Sequence, residues 1–302
     1  MQRFEGLIAA AHSPMRANGS IALEVVSEQA RIHREQENVA VFICGSTGEG
    51  HSLAKEERMA LAEAWSAETS TNFSLIVHVG CNALPDAQAL AEHAARVGAH
   101  AISCQAPCYE KPQNVQALVE FLAEVSAAAP ALPFYWYDIP SFTGVHFPSN
   151  DVLETALERI PNLAGVKFTS DNGACQLACV ELLGGRFEVL HGCDELLLDG
   201  LMRGCCAAVG STYNYAAPIY RRVIDLYEIG DEIGARAAQE EAVALVNVLL
   251  EFGVLRAGKA IMGLMGVDCG PPRLPAIPLD EQERATLQSR ISGLDVFARP
   301  LD

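Results

Sequence analysis

At 302 residues, 50% of them hydrophobic, the chain is long enough to bury one large core with a smaller appendage. Its 38 acidic and 21 basic residues give a formal net charge of −17, which disfavours nucleic acid and anionic membrane surfaces as partners. A small anionic substrate stays possible, because backbone amides and hydroxyls act locally while salt screens the long-range field within roughly 10 Å.

The sequence shows no targeting or membrane signal. The opening Met-Gln-Arg-Phe-Glu-Gly-Leu-Ile lacks a basic region followed by an apolar core and a cleavage site, and no later apolar run is long enough to span a bilayer. The sequence therefore predicts a cytoplasmic protein with no membrane partner.

The ten cysteines are irregularly spaced, which is typical of reduced core thiols in a chain without a secretion signal. Cys104 and Cys108, like Cys175 and Cys179, are four apart but lack the spacing of a zinc knuckle. The eight histidines include no His-x-x-x-His pair. We therefore expect no metal site.

Short apolar runs alternate with amphipathic runs along most of the chain, which predicts a repeated strand-helix unit. The predicted strands are residues 4–10, 39–44, 75–79, 101–104, 133–137, 165–168, 188–192 and 207–210. The predicted helices between and after them are residues 21–36, 55–69, 85–97, 113–128, 150–159, 173–183, 195–202 and 218–229. Eight such units indicate an α/β fold, a closed (β/α)8 TIM barrel. The rival fold, an open doubly wound sheet, usually carries fewer strands and often a glycine-rich first turn, whereas the first turn here is Ala-Ala-His-Ser-Pro.

The strand signal stops near residue 230. We therefore expect a barrel over residues 1–230 that carries the active site, and a C-terminal helical region over residues 231–302. Its predicted helices are residues 231–252, 259–265 and 280–294, with Cys-Gly-Pro-Pro-Arg-Leu-Pro at 269–275 as a rigid connector.

One lysine stands inside an otherwise apolar, strand-like run, Gly-Val-Lys-Phe-Thr at residues 165–169. A lysine at the end of a buried parallel strand is desolvated, which favours the neutral amine that can attack a carbonyl. Lys167 is therefore the candidate nucleophile, although many lysines only extend to solvent or pair with a carboxylate.

Other polar residues follow predicted strands, where the chemistry of such barrels lies. Gly-Ser-Thr-Gly-Glu at residues 45–49 can aim hydroxyls and backbone N–H groups at a carboxylate or phosphate, or can be an ordinary turn. Tyr137 is the candidate proton carrier, although many buried tyrosines only pack in the core with a hydrogen-bonded hydroxyl. Asp194 and Glu195 could bind sugar hydroxyls or begin the next helix.

These segments together resemble the dihydrodipicolinate synthase and N-acetylneuraminate lyase superfamily. The matching residues are 45–49, Tyr-Asp-Ile-Pro at 137–140, 165–169, Gly-Ser-Thr-Tyr-Asn at 210–214 and Gly-Pro-Pro-Arg-Leu-Pro at 270–275. They occur in the right order over nearly the whole chain.

The resemblance implies a pyruvate-dependent class I aldolase, with Lys167 forming the Schiff base and Tyr137 handling the proton. Ser46 and Thr47 would hold the carboxylate of the pyruvyl group. The remaining substrate-binding residues, which would hold the hydroxylated tail of a sugar acid, are Thr169, Gly192, Asp194, Glu195, Gly210 and Ser211. The resemblance further implies a homotetramer that needs no metal and no external cofactor.

Two departures from the superfamily pattern bear on function. Phe142 stands where the synthase branch has an arginine for a second carboxylate, which favours the lyase branch and cleavage of N-acetylneuraminate to N-acetylmannosamine and pyruvate. Asp138 stands where relatives commonly have asparagine or histidine. Tyr109 lies near the place of a second tyrosine supplied by a neighbouring subunit, but the local match is loose. The alternatives are an aldolase or dehydratase for another 2-keto sugar acid, and a non-catalytic barrel that binds a sugar acid.

Overall fold

The computed structural model describes residues 3–294 and shows a closed barrel of eight parallel strands, so the predicted fold is confirmed. The barrel closes where β1 pairs with both β2 and β8. The strands are β1 Gly6–Ala10, β2 Ala40–Ile43, β3 Ser74–His78, β4 Ala101–Gln105, β5 Phe134–Asp138, β6 Leu163–Phe168, β7 Glu188–His191 and β8 Ala207–Gly210.

Helices follow the strands around the outside of the barrel. They are α1 Val26–Glu35, α2 Lys55–Ser66, α3 Leu84–Arg96, α4 Val115–Ala127, α5 Pro140–Thr143, α6 Ser149–Ala156, α7 Gly173–Glu181, α8 Leu197–Met202 and α9 Ala217–Glu228. The C-terminal region adds α10 Glu232–Phe252, α11 Val254–Leu264 and α12 Glu281–Ile291. No helix in the described part of the chain is both long and apolar enough to cross a membrane.

Side chains alternate between two sides of the sheet, as the period of a strand requires. In β2, Ala40 and Phe42 face the barrel interior, whereas Val41 and Ile43 pack under the surrounding helices. Every residue of β2 is buried. Strands covered on both faces are apolar almost throughout, which explains why polar residues at their ends are conspicuous in the sequence.

Several predicted helix boundaries were wrong. Residues 21–25 form no α-helix, because a single 3-10 turn at Leu23–Val25 precedes α1. A similar turn at Asp194–Leu196 precedes α8, and α5 was not predicted. The helix predicted at residues 259–265 begins five residues earlier, at Val254. The last predicted helix, residues 280–294, is shorter at both ends.

The C-terminal helices share a core with the barrel. Leu7 of β1 and Ala208 of β8 belong to the same buried cluster as Tyr220 of α9, Leu245 of α10 and Leu287 of α12. Burial of such side chains stabilises a fold by about 1.5–3 kcal/mol each. The helices after residue 230 therefore contribute to the stability of the barrel itself.

Candidate active site

Lys167 lies inside the barrel near the C-terminal end of β6, and only 4% of it is exposed. Its Nζ donates a hydrogen bond to Thr169 Oγ1 at 3.1 Å. The same nitrogen lies 3.9 Å from the ring centroid of Tyr137 and 5.3 Å from that of Phe42. The amine is therefore enclosed by two aromatic rings and one hydroxyl, away from bulk water.

An irregularity in β6 sets the direction of the lysine side chain. Between Phe134 and Tyr135 of β5, the paired positions on β6 advance by two residues, from Leu163 to Gly165. Such a bulge changes which face the following side chains point to. A Cβ atom on Gly165 would lie 1.8 Å from the carbonyl oxygen of Glu188, so only glycine fits this close approach.

Tyr137 occupies the position on β5 that pairs with Lys167 on β6. Its ring meets the rings of His78 and Phe42 edge-on, at centroid distances of 5.5 and 5.6 Å. Its hydroxyl lies 3.4 Å from Ser46 Oγ. The phenol is thus fixed by packing while its oxygen points to the loop after β2.

The loop at residues 45–49 is a compact turn that contains Ser46 and Thr47, both half-buried. The Glu49 N–H donates to the carbonyl of Ser46 at 3.1 Å, and the Ser13 hydroxyl donates to the carbonyl of Gly48 at 2.6 Å. Cys44 and Glu49, at the two ends of the turn, have left-handed φ angles of +58° and +53°. Such non-glycine residues concentrate at functional sites.

The predicted sugar-binding residues come from β6, β7 and β8. A Cβ atom on Gly192 would lie 2.2 Å from Thr169 Oγ1, so these two residues are in close contact. A Cβ atom on Gly210 would lie 2.2 Å from Asp194 Oδ1, so the carboxylate rests directly over this glycine. Ser211 follows Gly210 and is half-buried. The strand ends thus form two contact pairs beside Lys167.

The Asp194 carboxylate is buried and already has protein partners. Its Oδ2 accepts hydrogen bonds from the backbone N–H of Thr212 at 2.9 Å and from the Thr212 hydroxyl at 2.6 Å. Burial raises the pKa of this carboxyl to about 6, although the bonds from Thr212 oppose the shift. Asp194 therefore organises the loop after β8, and its second oxygen faces Gly210.

Glu195 directly follows Asp194 in the chain. It is half-exposed and helps to line a surface cavity of about 210 Å³ that also includes Arg236 and Gln239 of α10. Phe142, on α5 after β5, is 74% exposed, and Tyr109 is 85% exposed.

Three residues that were not predicted to belong to the site help to shape it. Phe42 and His78 enclose the Tyr137 ring, and Thr212 holds Asp194. Alternation along β2 and β3 could have placed Phe42 and His78 inside the barrel. No local signal pairs Thr212 with a residue eighteen positions earlier.

In the described residues, no group of three or more histidine, cysteine or acidic side chains is close enough to hold a metal ion. The ten cysteines, all within residues 3–294, are unpaired.

The fold and the polar residues at the strand ends define a TIM-barrel enzyme. The chain belongs to the dihydrodipicolinate synthetase family, whose model matches residues 3–294. This confirms the resemblance inferred from the motifs.

Similar proteins are N-acetylneuraminate lyases. The rat enzyme is 37% identical over 305 residues, which cover 99% of this chain and 95% of the rat protein. The human enzyme is 38% identical over 303 residues, which cover 98% of this chain and 94% of the human protein. Among solved structures, the N-acetylneuraminate lyase of Proteus mirabilis has a TM-score of 0.95 at 35% identity and covers 98% of this chain and 100% of that one. The enzyme of Aliivibrio salmonicida also has a TM-score of 0.95 at 35% identity, with 98% coverage of both chains.

Proposed function

We propose that this protein is a class I aldolase that reversibly cleaves N-acetylneuraminate to N-acetylmannosamine and pyruvate. The observation that carries the proposal is the buried Lys167 amine, 3.9 Å from the centroid of the Tyr137 ring at the mouth of the barrel. Full-length similarity to N-acetylneuraminate lyases supports the choice of substrate.

The reaction begins when Lys167 Nζ attacks the 2-keto carbon of the open-chain sugar acid. Loss of water gives a protonated imine, which can accept the electron pair of the C3–C4 bond. Tyr137 relays the proton that leaves the C4 hydroxyl, and its oxygen lies 3.4 Å from Ser46 Oγ. The C3–C4 bond then breaks and the aldehyde product departs.

The second half returns the enzyme to its starting state. The enamine left on Lys167 takes a proton at C3 and becomes the imine of pyruvate. Water hydrolyses this imine, which releases pyruvate and the free amine. The cycle balances without an external cofactor or metal ion.

Ser46 and Thr47 hold the substrate carboxylate in this proposal. Both lie in the turn at residues 45–49, whose hydroxyls and N–H groups are neutral donors suited to an anion. Fixing the carboxylate orients the scissile bond relative to Lys167, and such positioning contributes several kcal/mol to catalysis.

The sugar tail lies along the ends of β6, β7 and β8. The proposed contacts are Thr169, Gly192, Asp194, Glu195, Gly210 and Ser211. The contact of Thr169 with Gly192 and that of Asp194 with Gly210 support a continuous surface for hydroxyl groups.

The proposal includes an assembly and a location. Residues 1–230 carry the active site and residues 231–302 complete the stable unit, which works as a homotetramer in the cytoplasm. Large exposed apolar side chains such as Tyr109, Ile233 and Leu274 support burial between subunits. Ten unpaired cysteines support a reducing compartment. Sedimentation at working concentration tests the assembly, and a monomer would overturn it.

A panel of 2-keto sugar acids tests the substrate. Pyruvate release should be fastest with N-acetylneuraminate, and condensation of pyruvate with aspartate semialdehyde should be negligible, because the apolar Phe142 cannot pair with a second carboxylate. Preference for a shorter sugar acid would favour another aldolase or dehydratase of this scaffold. Sugar-acid binding without imine formation would favour a non-catalytic binding protein.

A further inference from the structure

We propose that Glu49 is a positioning residue for the carboxylate-binding turn, and that α11 fixes this turn through an ion pair between Lys259 and Glu49. The inference rests on the proposed function, because it takes Ser46 and Thr47 as the carboxylate ligands. It assigns to the C-terminal region an indirect part in substrate binding, because Lys259 and Arg273 hold the turn that carries Ser46 and Thr47.

Glu49 is buried and both of its carboxylate oxygens have partners from the C-terminal region. Oε1 lies 2.7 Å from Lys259 Nζ, and Oε2 accepts a hydrogen bond from the backbone N–H of Arg273 at 2.7 Å. Lys259 also donates to the carbonyl of Pro271 at 3.0 Å. Glu49 is 6% exposed and Lys259 is 3% exposed. Neither group can therefore exchange its partner for water.

The ion pair acts on a turn whose backbone is strained. Glu49 has a left-handed φ of +53°, and its N–H donates to the carbonyl of Ser46. A glutamate in this conformation persists only where surrounding contacts hold it. Because the same residue closes the turn on Ser46, a shift of the Glu49 backbone moves the hydroxyls of Ser46 and Thr47.

The pair has a specific consequence for kinetics. Breaking it should displace the carboxylate ligands while the lysine and the tyrosine stay on their strands, which are held by other contacts. The loss should therefore fall on the KM for pyruvate in the condensation direction. The kcat should change much less.

Two double variants isolate the link. Glu49→Gln with Lys259→Gln removes both charges but keeps an amide bridge, whereas Glu49→Gln with Lys259→Met removes the charges and the bridge. Both avoid a buried unpaired charge, so both should fold. We expect the pyruvate KM of the variant with Lys259→Met to be at least tenfold above that of wild type. The variant with Lys259→Gln should have a pyruvate KM at least threefold below that of the variant with Lys259→Met.

Glu283→Gln is the matched control. It breaks the ion pair between Glu283 and Arg256, 2.8 Å apart, which anchors α11 to α12 rather than to the turn. It should lower the melting temperature and leave the pyruvate KM within twofold of wild type. An equal rise in KM for this control, or an unchanged KM in the variant with Lys259→Met, would overturn the inference.

The underlying assignment is tested separately with Ser46→Ala. If this variant leaves the pyruvate KM unchanged, the carboxylate site itself is wrongly assigned and the proposed function needs revision. If Ser46→Ala raises KM while the unbridged double variant does not, only the role of Glu49 fails.

Discussion

Tyr137 and Lys167 occupy paired positions on β5 and β6, and both side chains point into the barrel. Adjacent parallel strands hold this pair in register, so neither residue depends on a loop for its position. The lysine nitrogen lies over the tyrosine ring, 3.9 Å from its centroid. An imine formed there has the phenol beside it.

Pyruvate and borohydride together should trap a single lysine covalently. The chain contains four lysines, Lys55, Lys111, Lys167 and Lys259. Pyruvate with borohydride should add one three-carbon unit, located by peptide mapping on Lys167, because Lys259 is held by Glu49. Lys167→Ala should lose both the adduct and turnover while it keeps the fold. Lys111→Ala should keep the adduct and turnover. An adduct elsewhere would contradict the central assignment.

Tyr137→Phe should retain imine formation and lose most carbon–carbon cleavage, since proton relay contributes about 10²- to 10⁴-fold in rate. Borohydride trapping and pyruvate release measure the two steps separately. Tyr135→Phe is the matched control on the same strand, because its hydroxyl donates to Glu188 Oε2 at 2.9 Å, away from the lysine. That control should lose stability and keep cleavage. Normal turnover in Tyr137→Phe would reduce Tyr137 to a packing residue.

Asp194→Ala should lower kcat/KM for N-acetylneuraminate far more than it lowers pyruvate imine formation. Loss of one hydrogen bond to a charged group costs about 1.5–3 kcal/mol, which is roughly tenfold to more than a hundredfold. The ratio of the two effects is the measurement.

Thr212→Val separates two explanations for such a loss. It removes the hydroxyl bonded to Asp194 Oδ2 and leaves the carboxylate in place. If this variant reproduces the loss in sugar cleavage, Asp194 acts by holding the loop after β8. If sugar cleavage survives, the carboxylate acts on the substrate directly. Equal losses in cleavage and imine formation would assign Asp194 to the barrel alone.

The stability of the protein should depend on pH through Asp138. Burial raises the pKa of this carboxyl from 3.8 to about 7, and the Ser149 hydroxyl donates to Oδ2 at 2.7 Å. Between these two values the folded state binds more protons than the unfolded state, so this group lowers stability as pH rises from about 4 to 7. Above pH 7, the ionised Asp138 lowers the free energy of unfolding by roughly 4 kcal/mol relative to its value at low pH.

Asp138→Asn removes this titration. The variant should be more stable than wild type at pH 8, with a smaller difference at pH 4.5, as measured by denaturant unfolding at both values. Asp171→Asn changes an exposed carboxylate nearby and should shift stability by little at either pH. A pH-independent difference for Asp138→Asn would contradict the raised pKa.

The sequence was sufficient for the barrel because strands buried on both faces leave little ambiguity. The strand at residues 207–210 was predicted with the observed bounds, since it is a short apolar run that ends at Gly210. Lys167 and Tyr137 could be singled out because each interrupts such a run with a functional group.

Other features depend on contacts that a linear reading does not contain. The prediction for α11 omitted its first five residues, from Val254 to Gly258. In the fold, Gly258 lies inside the helix, where a Cβ atom would come within 2.8 Å of His12 Nε2. The partners of Glu49 were also missed, because Lys259 and Arg273 are distant from it in the sequence and contact it only in the folded structure.

The ion pair between Glu49 and Lys259 limits how parts of this scaffold can be recombined. A chimera that combined this barrel with C-terminal helices lacking a cation at the Lys259 position would bury Glu49 without a counter-charge. Such an uncompensated charge costs about 3–5 kcal/mol, a large share of the stability of most domains. When segments are exchanged between relatives, α11 and the turn after β2 should therefore be transferred together.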